Sequence, residues 1–283
     1  MKITFKKPTK KLINGLKNEG YTCVDMHIHS HYSDGFNRIF TILKKCKRKK
    51  IGVAIADHNE IKGSLEASKQ KDILIIPAIE LTSKEGIDLL VFFYSFNDLK
   101  KFYNKEIKKN IDKKKILSRL TKSLIKILDD CNKYKCLTCL PHPFAYAYKN
   151  VSRFLKKNYN RKIISTDAIE VINGENTRKR NLNAIEWKKK FNKLMTAGSD
   201  AHIRSEIGNV VTCCKADNIK DFLDEIKKKK SIVIGKETRL TKRVISHFSS
   251  LRKRVRTARP IILKRIKDNI NGNAPTETFK PKV

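Results

Sequence analysis

Short apolar runs rich in valine and isoleucine alternate along this chain with longer polar stretches of helical periodicity. The runs predict nine β-strands, at residues 22–29, 52–57, 73–80, 87–94, 136–142, 167–173, 194–200, 208–213 and 231–235. Helical patterns lie near residues 37–50, 61–70, 97–132, 149–159, 176–192 and 218–229. Strands that alternate with helices indicate βα units around a parallel sheet. We therefore expect an α/β fold in which seven or eight strands close a barrel and the rest are peripheral.

The longest helical pattern, 97–132, repeats apolar residues at spacings of three and four. Ile116, Leu120, Leu124, Ile127 and Leu128 follow this spacing, which places them on one face of a helix. The pattern predicts one long amphipathic helix.

The chain changes character after residue 236. Residues 239–283 contain 13 Lys and Arg against two acids, Asp268 and Glu277. The segment predicts one or two basic helices, interrupted before Pro260, and a frayed tail. It is either an arm that attracts nucleic acid or phosphate, or a helix that caps the barrel with a solvated basic face. The second interpretation is favoured because the segment has no recognised binding motif.

Three parts of the chain follow from these patterns. We expect an N-terminal extension (1–21), one α/β domain (22–236) and a basic helical C-terminal extension with its tail (237–283).

The charge balance is extreme, with 64 Lys and Arg against 28 Asp and Glu and a formal net charge of +36. Such a field attracts polyanions, including phosphate substrates and nucleic acid. A lysine-rich proteome explains the charge equally well, so charge alone names no partner. No segment approaches the ~18 uninterrupted apolar residues of a membrane helix. The basic start lacks the apolar stretch of a signal peptide, and we expect a cytoplasmic protein without a membrane partner.

The seven cysteines are odd in number and scattered, which is not a disulfide framework. Cys136 and Cys139 form a C-x-x-C pair, but a zinc ribbon needs a second pair at similar spacing. We therefore interpret the cysteines as core residues.

Six of the seven histidines lie near the ends of predicted strands. The first string, VDMHIHSHYSDG, places His27 and His29 two residues apart, with Asp34 five residues later. Because alternate residues of a strand share a face, Val24, Met26 and Ile28 should point one way and Asp25 and both histidines the other. Two imidazoles that project together into a barrel indicate metal ligands.

Further strings carry polar residues at other strand ends. They are AIADHNE with Asp57 and His58, IIPAIELTS with Glu80, CLPHPF with His142, and LMTAGSDAH with Asp200 and His202. Glu80 ends an otherwise apolar strand, where an unpaired carboxylate would cost several kcal/mol. Barrel enzymes assemble their sites at this end of the strands. Eight nitrogen and oxygen donors are too many for one ion, so the sequence predicts a site with two or three.

These strings, H-x-H-x4-D-G, D-H-N, the strand-end Glu, H-P and S-D-A-H, resemble those of the PHP (polymerase and histidinol phosphatase) superfamily. They span about residues 22–215 in the family's order, and the match is best with its stand-alone phosphoesterases and exonucleases. The resemblance implies a distorted (βα)7-type TIM-like barrel and a trinuclear site that holds zinc, manganese, iron or magnesium.

Carried over by position, the resemblance implies three sets of ligands. His27, His29 and Asp200 would hold the first metal, with Glu80 as a bridge to the second. His142 would complete the second site. Asp34, His58 and His202 would hold the third.

One position departs from the family pattern. Many members carry a further histidine in a strand like "IHLLGYF", whereas this chain reads GIDLLVFFY with Asp88 in that place. Aspartate can bind a hard cation, so the second site either survives with altered preference or is weak. Asp88 is included as a ligand on this basis.

Other polar residues have two interpretations. His31 is expected near the ligands or at the surface rather than as a ligand. Asp25 and Asp57 either orient ligating imidazoles or make strand-end hydrogen bonds. His247, in the basic extension, is expected at the surface.

Three residues of the loop after the sixth strand, Asn173, Glu175 and Arg178, either contact a sugar or water or are simply solvated. Arg204, two residues after His202, is the first candidate for binding phosphate. With Asp34, Glu80 and Asp200 it forms the expected catalytic set.

The predicted function is metal-dependent hydrolysis of a phosphate ester, on a nucleotide or small phosphorylated metabolite, by metal-activated water. A 5′–3′ exonuclease acting on RNA or DNA is the alternative. The basic extension favours the polymer, and the lack of an aromatic-rich stacking surface argues against it. An amidohydrolase is disfavoured because Glu80 takes the bridging place of a modified lysine. A non-catalytic scaffold that binds nucleic acid would be expected to have lost more ligands.

Overall fold

The computed structural model describes residues 2–112, 119–145, 151 and 165–238. The strands are β1 (Ile3–Thr4), β2 (Tyr21–Ile28), β3 (Gly52–Ile55), β4 (Ile75–Ile76), β5 (Ala78–Thr82), β6 (Asp88–Phe93), β7 (Cys136–Leu140), β8 (Ala168–Asn173), β9 (Leu194–Gly198), β10 (Val210–Lys215) and β11 (Ile232–Gly235). The helices are α1 (Lys10–Asn18), α2 (Ile39–Lys49), α3 (Lys62–Ala67), α4 (Phe96–Phe102), α5 (Leu124–Cys131), α6 (Arg178–Lys190) and α7 (Ile219–Lys227). Each predicted strand region contains a strand, but the region 73–80 is divided into β4 and β5, which belong to different sheets. The predicted α/β class is confirmed.

The strands form two sheets rather than one continuous ladder. The first has the order β1-β11-β10-β2-β3-β4 and the second β5-β6-β7-β8-β9. Isolated parallel bridges, Ile28 to Ala201 and His58 to Glu80, join the two sheets. The expected closed barrel of seven or eight strands is therefore not shown in the described residues, where two sheets are joined only by single bridges.

Apolar side chains of both sheets meet in a shared core. Val24 and Ala54 of the first sheet pack there with Leu90 and Leu137 of the second. Phe222 of α7 belongs to the same cluster and is fully buried. This core lies below the strand ends that carry the site.

The N-terminal segment, predicted as an extension, contributes to this fold. β1 pairs with β11 in parallel. Ile13 and Leu16 of α1 belong to a hydrophobic cluster that also contains apolar side chains of β2 and β3. The basic segment 239–283 lies outside the described residues, as does most of the predicted helix 149–159.

The prediction of one long helix over 97–132 is wrong. α4 runs into a π-helical turn at Tyr103–Ile107 and a 3-10 turn at Lys108–Asn110. Leu120 then pairs with Ile111 in an antiparallel bridge, and Ser123 caps a separate helix, α5, by accepting a hydrogen bond from the Lys126 amide. Apolar spacing alone did not reveal these breaks.

Six of the seven cysteines are buried, in agreement with their interpretation as core residues, but two of them are also paired. Cys23 and Cys213 form a disulfide between β2 and β10, where they are direct cross-strand partners. The pairing of these two strands joins residues that are 190 positions apart, which cysteine spacing could not indicate. Within the described residues, no helix has both the length and the apolar composition to cross a membrane.

Candidate metal centre

The predicted ligands meet at one rim of the fold, where the parallel strands end. His27 lies within β2 and His29 directly follows it, while Glu80 lies in β5. Asp88 is the first residue of β6, which runs antiparallel to β5 and β7. Because β6 runs in reverse, its beginning reaches the same rim as the ends of its neighbours.

Loops after the parallel strands supply the rest. His58 follows β3, His142 follows β7, and Asp200 and His202 follow β9. Asp34 lies in the loop between β2 and α2. All nine predicted ligands are thus brought to one rim.

The predicted alternation of side chains along β2 is wrong in one respect. The register between β2 and β3 shifts between Asp25 and Ile28. As a result Val24 and Met26 pack in the core shared by the two sheets, whereas Ile28 packs among the residues beneath α1 and α2. A bulge of this kind re-aims side chains, and it lets His27 lie above the shared core.

The first ligand group is centred on His29. Nε2 of His29 lies 3.1 Å from Oδ1 of Asp200 and 3.3 Å from Oε2 of Glu80. Nε2 of His27 lies 3.2 Å from Nε2 of His29 and 3.6 Å from Oδ1 of Asp200. Both imidazoles therefore point their Nε2 atoms at the same carboxylates.

The second group surrounds Asp34. Its Oδ2 lies 3.1 Å from Nε2 of His202 and 3.8 Å from Nε2 of His58. Its Oδ1 lies 3.5 Å from Nδ1 of His29. His29 thus lies between this group and the first one.

The third group is centred on Glu80. Its Oε2 lies 3.0 Å from Nδ1 of His58, and its Oε1 lies 3.2 Å from Nε2 of His142. Asp88 lies beyond His142, with its Oδ2 3.9 Å from Nε2. Asp88 is 1% exposed, so the residue that departs from the family pattern is buried in the cluster.

Three sets within this cluster have donor atoms that all lie within 4.8 Å of one another. They are His27, His29 and Asp200; His29, Asp34 and His58; and His58, Glu80 and Asp88. The first reproduces a set implied by the family resemblance. The other two share His58, so the sites overlap.

The donor chemistry fits divalent cations. Nδ1 of His29 and Oε2 of Glu80 are buried and make no hydrogen bond within the described residues, although each lies near an oppositely charged group. Burying a polar atom without a hydrogen bond raises the free energy of the folded state. A cation among imidazole and carboxylate donors would satisfy both.

Carboxylates and imidazoles of this cluster stabilise each other's charged forms. Burial opposes ionisation of Asp34, but His202 and His29 outweigh it and hold the Asp34 pKa well below its usual range. Burial likewise opposes the charge on His202, but Asp34 raises the His202 pKa to about 10. The pKa of Asp200 is also held low against burial, chiefly by His27. The carboxylates are therefore ionised and ready to bind cations.

Sequence reasoning missed Glu170, a buried carboxylate of β8. Its Oε1 lies 3.0 Å from Nδ1 of His27, and its Oε2 accepts a hydrogen bond from the His142 amide at 2.9 Å. Nδ2 of Asn173 donates to the same Oε2 at 2.8 Å and to Oδ2 of Asp200 at 3.2 Å. The sequence does contain a signal for Glu170, a charged residue in an apolar strand, and the same kind of signal identified Glu80.

Asp25 and Asp57 form the strand-end hydrogen bonds that were one of their two interpretations. Asp25 accepts from the amides of Ser199 and Gly208, both at 2.8 Å. Burial raises its pKa to about 6, although these donors oppose the rise. Asp57 accepts from the amide and hydroxyl of Ser30 at 2.7 and 2.6 Å. Both carboxylates position backbone near the ligands.

The seam between β2 and β9 depends on a glycine. A Cβ at residue 198 would lie 2.3 Å from Cβ and 2.6 Å from the amide nitrogen of His27. The Asp200 amide donates to the His27 carbonyl at 2.8 Å, and Asp200 has a φ of 53°. This left-handed conformation costs energy for most residues and is common at functional sites.

The remaining candidates lie outside the cluster. Arg204 is exposed. Arg178 forms an ion pair with Glu237, with Nε 2.6 Å from Oε1. His31 packs against the Tyr32 ring with centroids 4.2 Å apart. His247 falls outside the described residues.

Fold and site together define a class: an α/β protein with a cluster of histidines and carboxylates at the strand ends. Residues 178–231 match the family model described as PHP-associated. Together with the shared fold and the five sequence strings, this match supports the resemblance to the PHP superfamily.

Several relatives resemble it. An uncharacterized protein of Methanocaldococcus jannaschii is 28% identical over 230 residues, covering 77% of this chain and 85% of that protein. A two-domain protein of Bacteroides vulgatus, described as containing a predicted PHP-like metal-dependent phosphoesterase, shares the fold with a TM-score of 0.55 at 15% identity. The match covers 77% of this chain and 66% of that one.

The lesion-specific endonuclease Q of Pyrococcus furiosus also has this fold, with a TM-score of 0.58 and 18% identity over 75% of this chain. This chain spans only 57% of that protein. Endonuclease Q has also been solved with a 27-mer duplex carrying an abasic lesion at its active site.

Proposed function

We propose that this chain hydrolyses phosphate esters with two or three divalent cations bound at the rim. The observation that carries the proposal is the convergence of seven of the nine predicted ligands into three overlapping sets of donor atoms. Two solved proteins that share this fold, a predicted PHP-like metal-dependent phosphoesterase and a lesion-specific endonuclease, support this reaction class.

The donor set also supports particular cations. Imidazole and carboxylate together suit zinc, manganese and iron, and carboxylates suit magnesium. When bound, such ions supply the Lewis acidity that activates water and neutralises charge on phosphoryl oxygens. Asp88, in place of a histidine, shifts the Glu80 set towards cations that prefer oxygen.

The chain's own residues orient these donors. Glu170 holds Nδ1 of His27 at 3.0 Å, which leaves Nε2 directed at Asp200 and Glu80. Asn173 holds the second oxygen of Asp200, so Oδ1 is the atom presented to the histidines. These contacts reduce the reorganisation needed for cation binding.

Arg204 is proposed to bind a phosphate oxygen. It follows His202 by two residues, and its guanidinium is exposed beside the rim. A planar guanidinium binds phosphate in a bidentate manner and keeps its charge at any working pH.

A test of this function starts from protein stripped with a chelator and reloaded with zinc or manganese. We expect about two or three ions per chain by elemental analysis, and hydrolysis of a small aryl phosphate ester that chelation abolishes. The His29→Ala variant should lose both properties, since His29 belongs to two of the three donor sets. Fewer than one ion per chain and no hydrolysis would support a non-catalytic scaffold.

A nucleic-acid substrate is the second candidate, and a particular surface favours it. Exposed aromatic side chains lie next to the rim, although none was expected from the sequence. The lack of such a surface in the sequence had weighed against a polymer substrate, and the exposed aromatic side chains remove that objection.

A further inference from the structure

Exposed aromatic side chains are concentrated beside the metal centre. Of the four large hydrophobic side chains exposed in the described residues, three lie within nine positions: Tyr32 at 38%, Phe36 at 46% and Phe40 at 72%. The fourth, Leu182, lies on α6. Clustered exposed apolar groups mark a binding surface more often than scattered ones do.

This aromatic segment is fixed to the ligands. Asp34 lies between Tyr32 and Phe36, and the Phe36 amide donates to the His202 carbonyl at 2.8 Å. A Cβ at Gly35 would lie 2.3 Å from the His29 carbonyl oxygen, so the loop turns tightly over the end of β2. The aromatic rings are therefore held at a set distance from the cluster.

Cations continue the surface along α2. Residues 36–50 contain seven Lys and Arg and no Asp or Glu. Phe40, Lys44 and Arg48 are all exposed and four residues apart, so they share a face of the helix over about 12 Å. The ammonium of Lys44 lies 5.7 Å from the centre of the Phe40 ring.

The loop that carries His202 adds to this positive surface. Lys45 lies close enough to Arg48 and Arg204 for both to lower its pKa, although burial lowers it more. Nζ of Lys49 donates to the Gly208 carbonyl at 2.7 Å. α2 is thus fastened to the same loop that holds a predicted ligand.

Four cations on or next to α2 have no acidic partner among the described residues. In the described part of the chain, none of Arg38, Lys44, Arg48 and Arg204 forms an ion pair. Elsewhere, lysines are neutralised, as Lys122 is by Asp130 at 2.6 Å. Cations that are left unpaired beside a site for phosphate chemistry retain their full charge for a polyanion.

We infer that the surface formed by Tyr32, Phe36, Phe40, Lys44 and Arg48 binds a single-stranded nucleic acid and leads one of its phosphodiesters to the metal centre. Aromatic rings stack on bases of any sequence, and cations follow the backbone. Base faces are accessible in a single strand and hidden in a duplex, which selects the single strand. The inference deepens the proposed function, since it names the polymer as the substrate class.

Binding is measured by fluorescence anisotropy with a labelled oligothymidylate of about 15 nucleotides, on metal-loaded full-length protein. The double variant Phe36→Ala/Phe40→Ala is expected to bind about tenfold more weakly or worse, because stacking on two rings is lost. Leu182→Ala, which removes a similarly exposed apolar group from α6, is the matched control and should bind like the wild type.

The cation arm uses Lys44→Gln/Arg48→Gln. This variant should bind more weakly at low salt. The magnitude of the slope of log K against log salt should fall by about 1.4, because each of the two lost phosphate contacts contributes about 0.7. The control is Lys228→Gln/Lys230→Gln, which removes two lysines near Glu225 of α7, at 3.2 and 4.0 Å.

Two results would overturn the inference. One is wild-type affinity in both the aromatic and the cation variants. The other is a blunt duplex of the same length that binds as tightly as the single strand. Hydrolysis of the small aryl phosphate by wild-type protein is scored separately, so loss of that activity with intact oligonucleotide binding would overturn only the proposed function.

Discussion

The two halves of the metal centre are supported differently. On the β2–β9 side, His27 is oriented by a buried carboxylate, Glu170, at 3.0 Å, and Asp200 is held by Asn173. On the β5–β6 side, the hydroxyl of Thr82 contacts both His58 and Asp88, at 3.1 and 2.6 Å.

A charged partner orients a ligating imidazole more strongly than a neutral hydroxyl does. We therefore expect the His27, His29 and Asp200 set to bind its cation more tightly than the Glu80 set. This comparison leads to four predictions.

The largest effect is expected from Asp200→Ala. Removing a carboxylate from the tight half should cost about a thousandfold in kcat/KM on an aryl phosphate, because a bound cation contributes several kcal/mol to the transition state. The measurement pairs steady-state kinetics with elemental analysis. Asp217→Ala, at an exposed position, is the control, and comparable activity in the two variants would remove Asp200 from the site.

Glu170→Gln is expected to have the next largest effect. The variant keeps the shape but loses the charge that orients His27, and cation affinity should fall about 10–100-fold. Thr82→Val, which removes the hydroxyl of the other half, should weaken only the looser cation. Equilibrium titration with zinc or manganese measures both, and equal losses in both variants would mean that the halves do not differ.

Asp88→Asn tests the looser half directly. We expect about a tenfold loss of affinity for the weaker cation and no change for the tighter one, since Asp88 belongs only to the Glu80 set. Asp88→His should restore binding and favour zinc. A loss at the tight site in either variant would contradict the division into halves.

The smallest expected effect is the pH dependence of cation binding. Without cations, burial opposes the charge on His202 but Asp34 raises its pKa to about 10, so the imidazole is protonated at neutral pH. A cation must displace that proton, and its affinity should rise with pH by up to about tenfold per unit for each proton released. Calorimetric titration in two buffers of different ionisation enthalpy counts these protons, and identical heats in both would contradict the expectation.

Much of the fold could be predicted because strands here are short, apolar and bounded by polar residues. Glu80 stood out as a charge inside an apolar run, and the structure places it among the histidines. Glu170 carried the same signal but was not singled out from the sequence. Its partner His27 is 143 residues away, and only pairing of the strands brings them together.

Other features could not be predicted from the local sequence. The bulge in β2 depends on how β2 registers against β3, and the Cys23–Cys213 disulfide depends on β10 lying antiparallel to β2. Helical periodicity continues through residues 97–132, yet the bridge between Ile111 and Leu120 interrupts it. In each case pairing between segments overrides the local preference.

The close approach of Gly198 to His27 has a consequence for protein engineering. Since main-chain atoms of β2 occupy the space of any side chain at 198, a saturation library at this codon should return only glycine among functional clones.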